Sequence, residues 1–166
     1  MKKQIAIISQ QPLPVIYGIW DQKPKFVYFL VTKGYKEIVN CIVSVAKEKH
    51  KFDYEIIYID PYGKKKIKEF FSNIKDKDDW SVNVTCGTKI MSILATMYGS
   101  QLGAEIFYIK PEKNRDVIFF PFSKKNNRTV RFRLTIEQYL KSHGQSIRSC
   151  GKNIDEIKKK FPLTNF

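Results

Sequence analysis

Short apolar runs alternate with helix-period segments along this chain. Ile5-Ala6-Ile7-Ile8 has the pattern of a strand buried on both faces. Ser9-Gln10-Gln11-Pro12-Leu13-Pro14 follows as a polar, proline-marked turn, and prolines there suit a loop and the first turn of a helix. A short helix is predicted over Val15 to Trp20. Lys25 to Thr32 is a second buried strand, and Lys33-Gly34 a turn. From Tyr35 to Lys49 the apolar positions Ile38, Ile42, Val45 and Ala46 recur at three and four, which predicts an amphipathic helix.

The alternation continues with a third strand, Tyr54 to Ile59, closed by Asp60-Pro61-Tyr62-Gly63. Lys64 to Ile74 places Ile67, Phe70, Phe71 and Ile74 on one helix face. Trp80 to Thr85 is a fourth strand, Thr88 to Leu102 a nearly apolar helix, and Ala104 to Lys110 a fifth strand. Strand and helix in this order imply right-handed crossovers and a mostly parallel sheet. The pattern then changes. Val117 to Phe122 and Thr129 to Leu134 flank the polar stretch Ser123 to Arg128, a hairpin signal. The predicted fold is α/β and Rossmann-like, with a mostly parallel central sheet flanked by helices and a C-terminal antiparallel hairpin. Thr135 caps a final helix and Gln138 completes a capping box. Beyond Gly144 the chain is polar and weakly patterned, with a short helix predicted over Ile154 to Phe161.

Composition narrows the classes. The 166 residues make about one domain, and 43% hydrophobic with 14% aromatic content excludes a disordered chain. No stretch approaches the ~20 apolar residues of a membrane span. The run Ile5 to Ile8 is too short for a signal-peptide core, so a cytoplasmic location is expected. Cys41, Cys86 and Cys150 form no metal spacing and no redox pair. His50 and His143 form no metal motif and are expected near helix ends. The net charge of +14 draws in nucleic acid, nucleotides or an anionic surface. Lys64-Lys65-Lys66 and Lys158-Lys159-Lys160 are equally well read as solvated helix faces.

Candidate chemistry sits where strands end. In an open parallel sheet, ligands bind beyond the carboxyl ends of the strands. Loops at Ser9 to Pro12, Thr32 to Gly34, Asp60 to Gly63 and Thr85 to Lys89 lie there. The last leaves a strand, turns at Gly87 and starts a helix at Thr88, where free N–H groups and the dipole favour an anion. Thr85 and Thr88 offer hydroxyls and Lys89 a cation. Ser9, Gln10, Gln11, Thr32 and Lys33 add polar and charged groups from neighbouring loops. The same composition also suits an ordinary helix cap. Neither the Gly-rich loop of an ATPase nor a dinucleotide fingerprint is present. Glu156-Ile157-Lys158 resembles the tail of a nuclease signature but falls in a helical pattern.

Val82-Asn83-Val84-Thr85-Cys86-Gly87-Thr88-Lys89-Ile90-Met91-Ser92 resembles the signature Asn-x-Thr-Gly-Gly-Thr-Lys-x-Met of CARF (CRISPR-associated Rossmann fold) domains of the Card/Can effector type. Ser9 to Pro14 is similar to that family's first loop, and Leu134 to Leu140 to its last helix. The resemblance implies a homodimer whose paired loops form one pocket on a two-fold axis. It implies binding of a cyclic oligoadenylate, cyclic tetra-adenylate first, that switches an effector in type III CRISPR antiviral defence. It assigns phosphate and ribose contacts to Thr85, Cys86, Gly87, Thr88 and Lys89. Ser9, Gln10, Gln11 and Pro12 contact the ligand from the first loop, with Thr32 and Lys33 nearby.

Residues 1–144 then form the sensing domain, and 145–166 a tail or linker toward an effector domain outside this chain. Some such domains also cleave their ligand as metal-independent ring nucleases. Ser9, Thr88 and Lys89 could stabilise charge in that step, but no general base is evident and no catalytic residue is assigned. No metal or cofactor is expected. A third reading is a general basic RNA- or DNA-binding module. Cys86 departs from the family, standing where the signature has its first glycine. A positive φ there would cost ~1 kcal/mol or more, so ordinary backbone is expected.

Overall fold

The computed structural model describes residues 1–76, 78–110, 116–120, 126–130 and 132–146. The elements are β1 (Lys2–Ile7), α1 (Leu13–Gln22), β2 (Phe26–Val31), α2 (Lys36–Ala46), β3 (Asp53–Tyr58) and α3 (Lys64–Ser72). They continue with β4 (Asp79–Asn83), α4 (Lys89–Gln101), β5 (Glu105–Ile109), β6 (Asp116–Phe119), β7 (Arg128–Thr129) and α5 (Ile136–Ser142). One sheet runs β3-β2-β1-β4-β5-β6-β7. Pairs within β1 to β5 are parallel, and β5-β6 and β6-β7 are antiparallel. The Rossmann-like architecture and the antiparallel end of the sheet are as the sequence predicts. No helix among the described residues is long and apolar enough to cross a membrane.

The double-faced pattern of β1 divides the core. Ala6 and Ile8 pack with Val15, Ile19 and Trp20 of α1 and Val39, Ile42 and Val45 of α2. Ile5 and Ile7 pack on the other face with Ile67 and Phe71 of α3 and Met91 and Ala95 of α4. Each fully buried aliphatic contributes ~1.5–3 kcal/mol. The helix α1 extends past its predicted ends, opening behind Pro12 with Pro14 in the first turn, where a missing N–H costs nothing. A Cβ on Gly18 would stand 2.5 Å from Asn83 Nδ2 and 3.2 Å from Phe107, so α1 lies directly on β4 and β5. The Trp20 indole N–H donates to Ala46 O at 3.0 Å, locking α1 to the end of α2.

The hairpin differs from expectation in its second strand. Thr129 to Leu134 is predicted as a strand, yet pairing stops after two residues, Arg128 and Thr129. Val130, Phe132 and Leu134 instead lie over the α1–α2 side of the core. Phe132 meets Trp20 edge-on with centroids 5.8 Å apart, and Arg133 O accepts from Lys49 Nζ at 3.0 Å. Alternating apolar residues thus find their buried partners in a helix rather than in a neighbouring strand.

The expected capping box opens α5. Gln138 N donates to Thr135 Oγ1 at 3.1 Å, and Thr135 N to Gln138 Oε1 at 3.0 Å. Lys141 and Gln138 then hold Glu48, pulling its carboxyl below the usual range and fastening α5 to the end of α2. His50 follows α2, and His143 ends α5, as expected. Residues 147–166 lie outside the described residues, including the predicted helix Ile154 to Phe161, Glu156-Ile157-Lys158, the lysines Lys158 to Lys160, and Cys150.

Candidate functional site at the carboxyl ends of the parallel strands

β1 sits between β2 and β4, so the sheet order reverses direction at the β1–β4 boundary. Helices leaving these two strands cover opposite faces, which opens a crevice above their carboxyl ends. The Ser9–Pro12 and Thr85–Lys89 loops border that crevice.

The second loop is built from β4 outward. Asn83 is buried, and its Nδ2 donates to Pro14 O at 3.1 Å, anchoring it beneath α1. Its Oδ1 accepts both Thr85 N at 3.1 Å and Thr85 Oγ1 at 2.6 Å, bending the chain out of the sheet. Thr85 Oγ1 also accepts Ile109 N at 2.8 Å, at the end of β5. Cys86 has ordinary backbone, as expected; among the described residues only Lys23 combines a side chain with positive φ. The Cys86 side chain is buried in the core, with Sγ 3.5 Å from Gln11 O. Burial pushes its thiol up to about 11, with the Ser9 hydroxyl acting in the opposite direction. At neutral pH it is protonated, a packing group rather than a nucleophile.

Gly87 carries the turn at φ 89, and a Cβ there would stand 2.4 Å from Ile7 Cγ2. Thr88 caps α4: its Oγ1 accepts Met91 N at 3.2 Å and donates to Pro61 O at 2.7 Å in the loop after β3. Ser92 Oγ lies 3.1 Å from Val84 O and 3.3 Å from Cys86 O, closing the loop from below. The Lys89 and Ile90 amides are left without a hydrogen-bond partner among the described residues. Lys89 is exposed and has no hydrogen-bond or charge partner among the described residues.

The structure joins some of the expected residues and separates others. Ser9, Gln11 and Cys86 meet, so the β1 and β4 loops form one surface. Gln10 and Gln11 are exposed there, and Pro12 is buried at the start of α1. Lys33 is exposed beyond β2, and Thr32 accepts Tyr35 N through its carbonyl at 3.3 Å. Neither bonds to the other loops among the described residues. The hydroxyl hydrogens of Thr85 and Thr88 point into the protein, at Asn83 and Pro61. They hold the loop's shape, while backbone N–H groups and Lys89 are what the loop offers an anion.

Sequence reasoning gave two features no role, although Asn83 heads the quoted signature. Asn83 is the keystone of the turn, and its signal was a polar residue inside a buried strand. An uncovered apolar stripe also runs down α4 from the site: Ile90, Ile93 and Met97 are 42%, 58% and 51% exposed. Their spacing of three and four puts them on one face. Its signal was a helix apolar nearly all round.

A mostly parallel α/β sheet whose β1 and β4 loops meet at a reversal of strand order defines a Rossmann-like domain. The model of the Card1 CARF domain matches residues 4–139, and the chain belongs to that family. Can2 from Sulfobacillus thermosulfidooxidans, solved with cyclic tetra-adenylate, superimposes with a TM-score of 0.77 at 20% identity, covering 98% of this chain and 46% of that one. Protein VC1899 from Vibrio cholerae gives 0.72 at 19% identity, over 85% of this chain and 39% of that one. A type III CRISPR defence DNA nuclease activated by cyclic oligoadenylate gives 0.67 at 15% identity, over 84% and 23%. These likenesses establish the fold, and the chain spans less than half the length of each. A comparison with curated proteins finds no match.

Proposed function

We propose that this chain is a sensor of cyclic oligoadenylate, cyclic tetra-adenylate first, that acts as a homodimer in type III CRISPR defence. The observation that carries the reading is the Thr85–Lys89 loop. It presents helix-start amides and a lysine with no partner among the described residues at the junction with the β1 loop, in a chain of the CARF family. Can2 holds cyclic tetra-adenylate, and another structure of the same fold is a nuclease activated by cyclic oligoadenylate. The Ile90–Ile93–Met97 stripe gives the second copy a surface to cover, and it begins beside Lys89. A two-fold axis along that stripe brings two identical loops to one pocket, the symmetry a cyclic tetranucleotide matches. Residues 145–166 then lead toward an effector domain, in keeping with the greater length of the relatives.

Titration calorimetry with cyclic tri-, tetra- and hexa-adenylate and with linear oligoadenylate tests the reading. Tight binding of one ring size, at one ring per two chains, is the expected result. Lys89→Ala removes two charge-assisted contacts per ligand, at ~1.5–3 kcal/mol each, so affinity falls by about 100-fold or more. Absence of binding to every ring, or unchanged affinity in Lys89→Ala, refutes the assignment.

A further inference from the structure

A groove of about 1120 Å³ opens at the opposite end of the sheet, across the starts of β1, β2 and β3. Lys2, Lys23, Lys25, Lys47 and Lys51 line it, with Phe26 and Phe52 in its wall. Asp53 is the one acid among its lining residues. The other nearby carboxylates are already engaged. Lys3 Nζ lies 2.7 Å from both Asp76 and Asp78, and Asp78 also meets the amino terminus. Lys23, Lys25, Lys47 and Lys51 have no carboxylate partner among the described residues. Lys47 Nζ stands 5.5 Å from the Phe52 ring and 5.4 Å from Tyr54, held at the groove's edge by their faces.

Lys23 adds an independent sign. It follows α1 at φ 49, ψ 52, the left-handed position that helices usually give to glycine. A side chain there is strained, and Lys23 places a cation at the groove although its backbone geometry favours glycine.

We propose that this groove is a second polyanion site, distinct from the β1–β4 crevice, that binds the phosphodiester backbone of single-stranded nucleic acid without sequence preference. Lys25 and Lys51 precede the adjacent strands β2 and β3, ~4.8 Å apart, and Lys23 and Lys47 follow α1 and α2, an open spread of cations rather than a cage. Lysines are point charges that suit phosphates and read no base pattern. The centres of protein–protein interfaces are depleted in lysine, which argues against a protein occupant.

Fluorescence anisotropy with labelled oligo(U) and oligo(dT), over a series of salt concentrations, tests the site. Both strands bind with similar affinity, and log K falls against log salt with a slope near −2.8, ~0.7 for each of Lys23, Lys25, Lys47 and Lys51. Lys25→Gln with Lys51→Gln shallows the slope by ~1.4. Lys23→Gly shallows it by ~0.7 while raising Tm by about 2–4 °C, so weaker binding comes from a more stable protein. Cyclic tetra-adenylate titrated into the same variants shows unchanged behaviour. Absence of binding at low salt overturns the proposal. So does a salt slope indifferent to the substitutions, displacement of the strand by cyclic oligoadenylate, or equal competition by polyglutamate.

Discussion

Gly87→Ala tests the construction of the anion-facing loop. Two penalties act at this position. The backbone at φ 89 disfavours any side chain, by ~1–2 kcal/mol. The new Cβ also meets Ile7 Cγ2 at 2.4 Å and Met91 Cε at 3.2 Å. Both neighbours are 1% exposed and belong to the packed α3–α4 side of the core, so neither can swing away. Overpacking of this kind costs a further ~1–3 kcal/mol, for a total of ~2–5 kcal/mol. Gly34 supplies the control: its φ is 95, yet an added Cβ would touch nothing within 4 Å. Gly34→Ala therefore isolates the backbone share. Urea denaturation of both variants, with Ile7→Ala and the Gly87→Ala/Ile7→Ala double variant, completes a cycle. The expected result is a larger loss at Gly87 than at Gly34, and a double variant less damaged than the sum of its singles. Equal losses at Gly87 and Gly34, or strict additivity with Ile7→Ala, would refute the close-packing argument.

The α4 stripe predicts that Ile93→Asp with Met97→Asp keeps the fold, since both side chains are more than half exposed, but yields a monomer by sedimentation equilibrium. A dimer that survives both charges places the partner elsewhere. Cys86 predicts a pH effect whose sign follows from burial. The folded thiol titrates near 11 and the unfolded one near ~8.5, so its contribution is intact below ~8.5 and is lost as pH rises toward 11. Between pH 8 and 10.5 the native chain should lose ~2 kcal/mol more stability than Cys86→Ala; parallel pH profiles would show that the thiol titrates normally.

Most of the fold was legible because β1 to β5 and their helices keep clean periods. Ile5 to Ile8 could only be a strand buried on both faces, and Ile38, Ile42, Val45 and Ala46 could only line a helix. Val130, Phe132 and Leu134 misled because period-two alternation reports a one-sided burial, not the element that provides it. Trp20, more than a hundred residues earlier in the chain, fills that role. The placing of the candidate loops at strand ends and a helix start was legible, because these are local properties. The direction of each hydroxyl was not. Thr85 and Thr88 carry donors suited to phosphate, and their turning toward Asn83 and Pro61 depends on strands brought alongside by the fold. The groove at the other end of the sheet was illegible for the same reason, since its lysines come from separate helix ends and strand starts.

Thr85 and Thr88 tie the end of β4 to the end of β5 and to the loop after β3. A variant at Thr85 would orphan the Ile109 amide, and one at Thr88 would release the Pro61 carbonyl, whether or not a ligand was ever present. Both threonines are thus required by architecture before any recognition takes place. A descendant of this chain that did not bind the proposed ligand would still keep the two threonines. Lys89, which the fold does not need, is the residue whose loss would record the change.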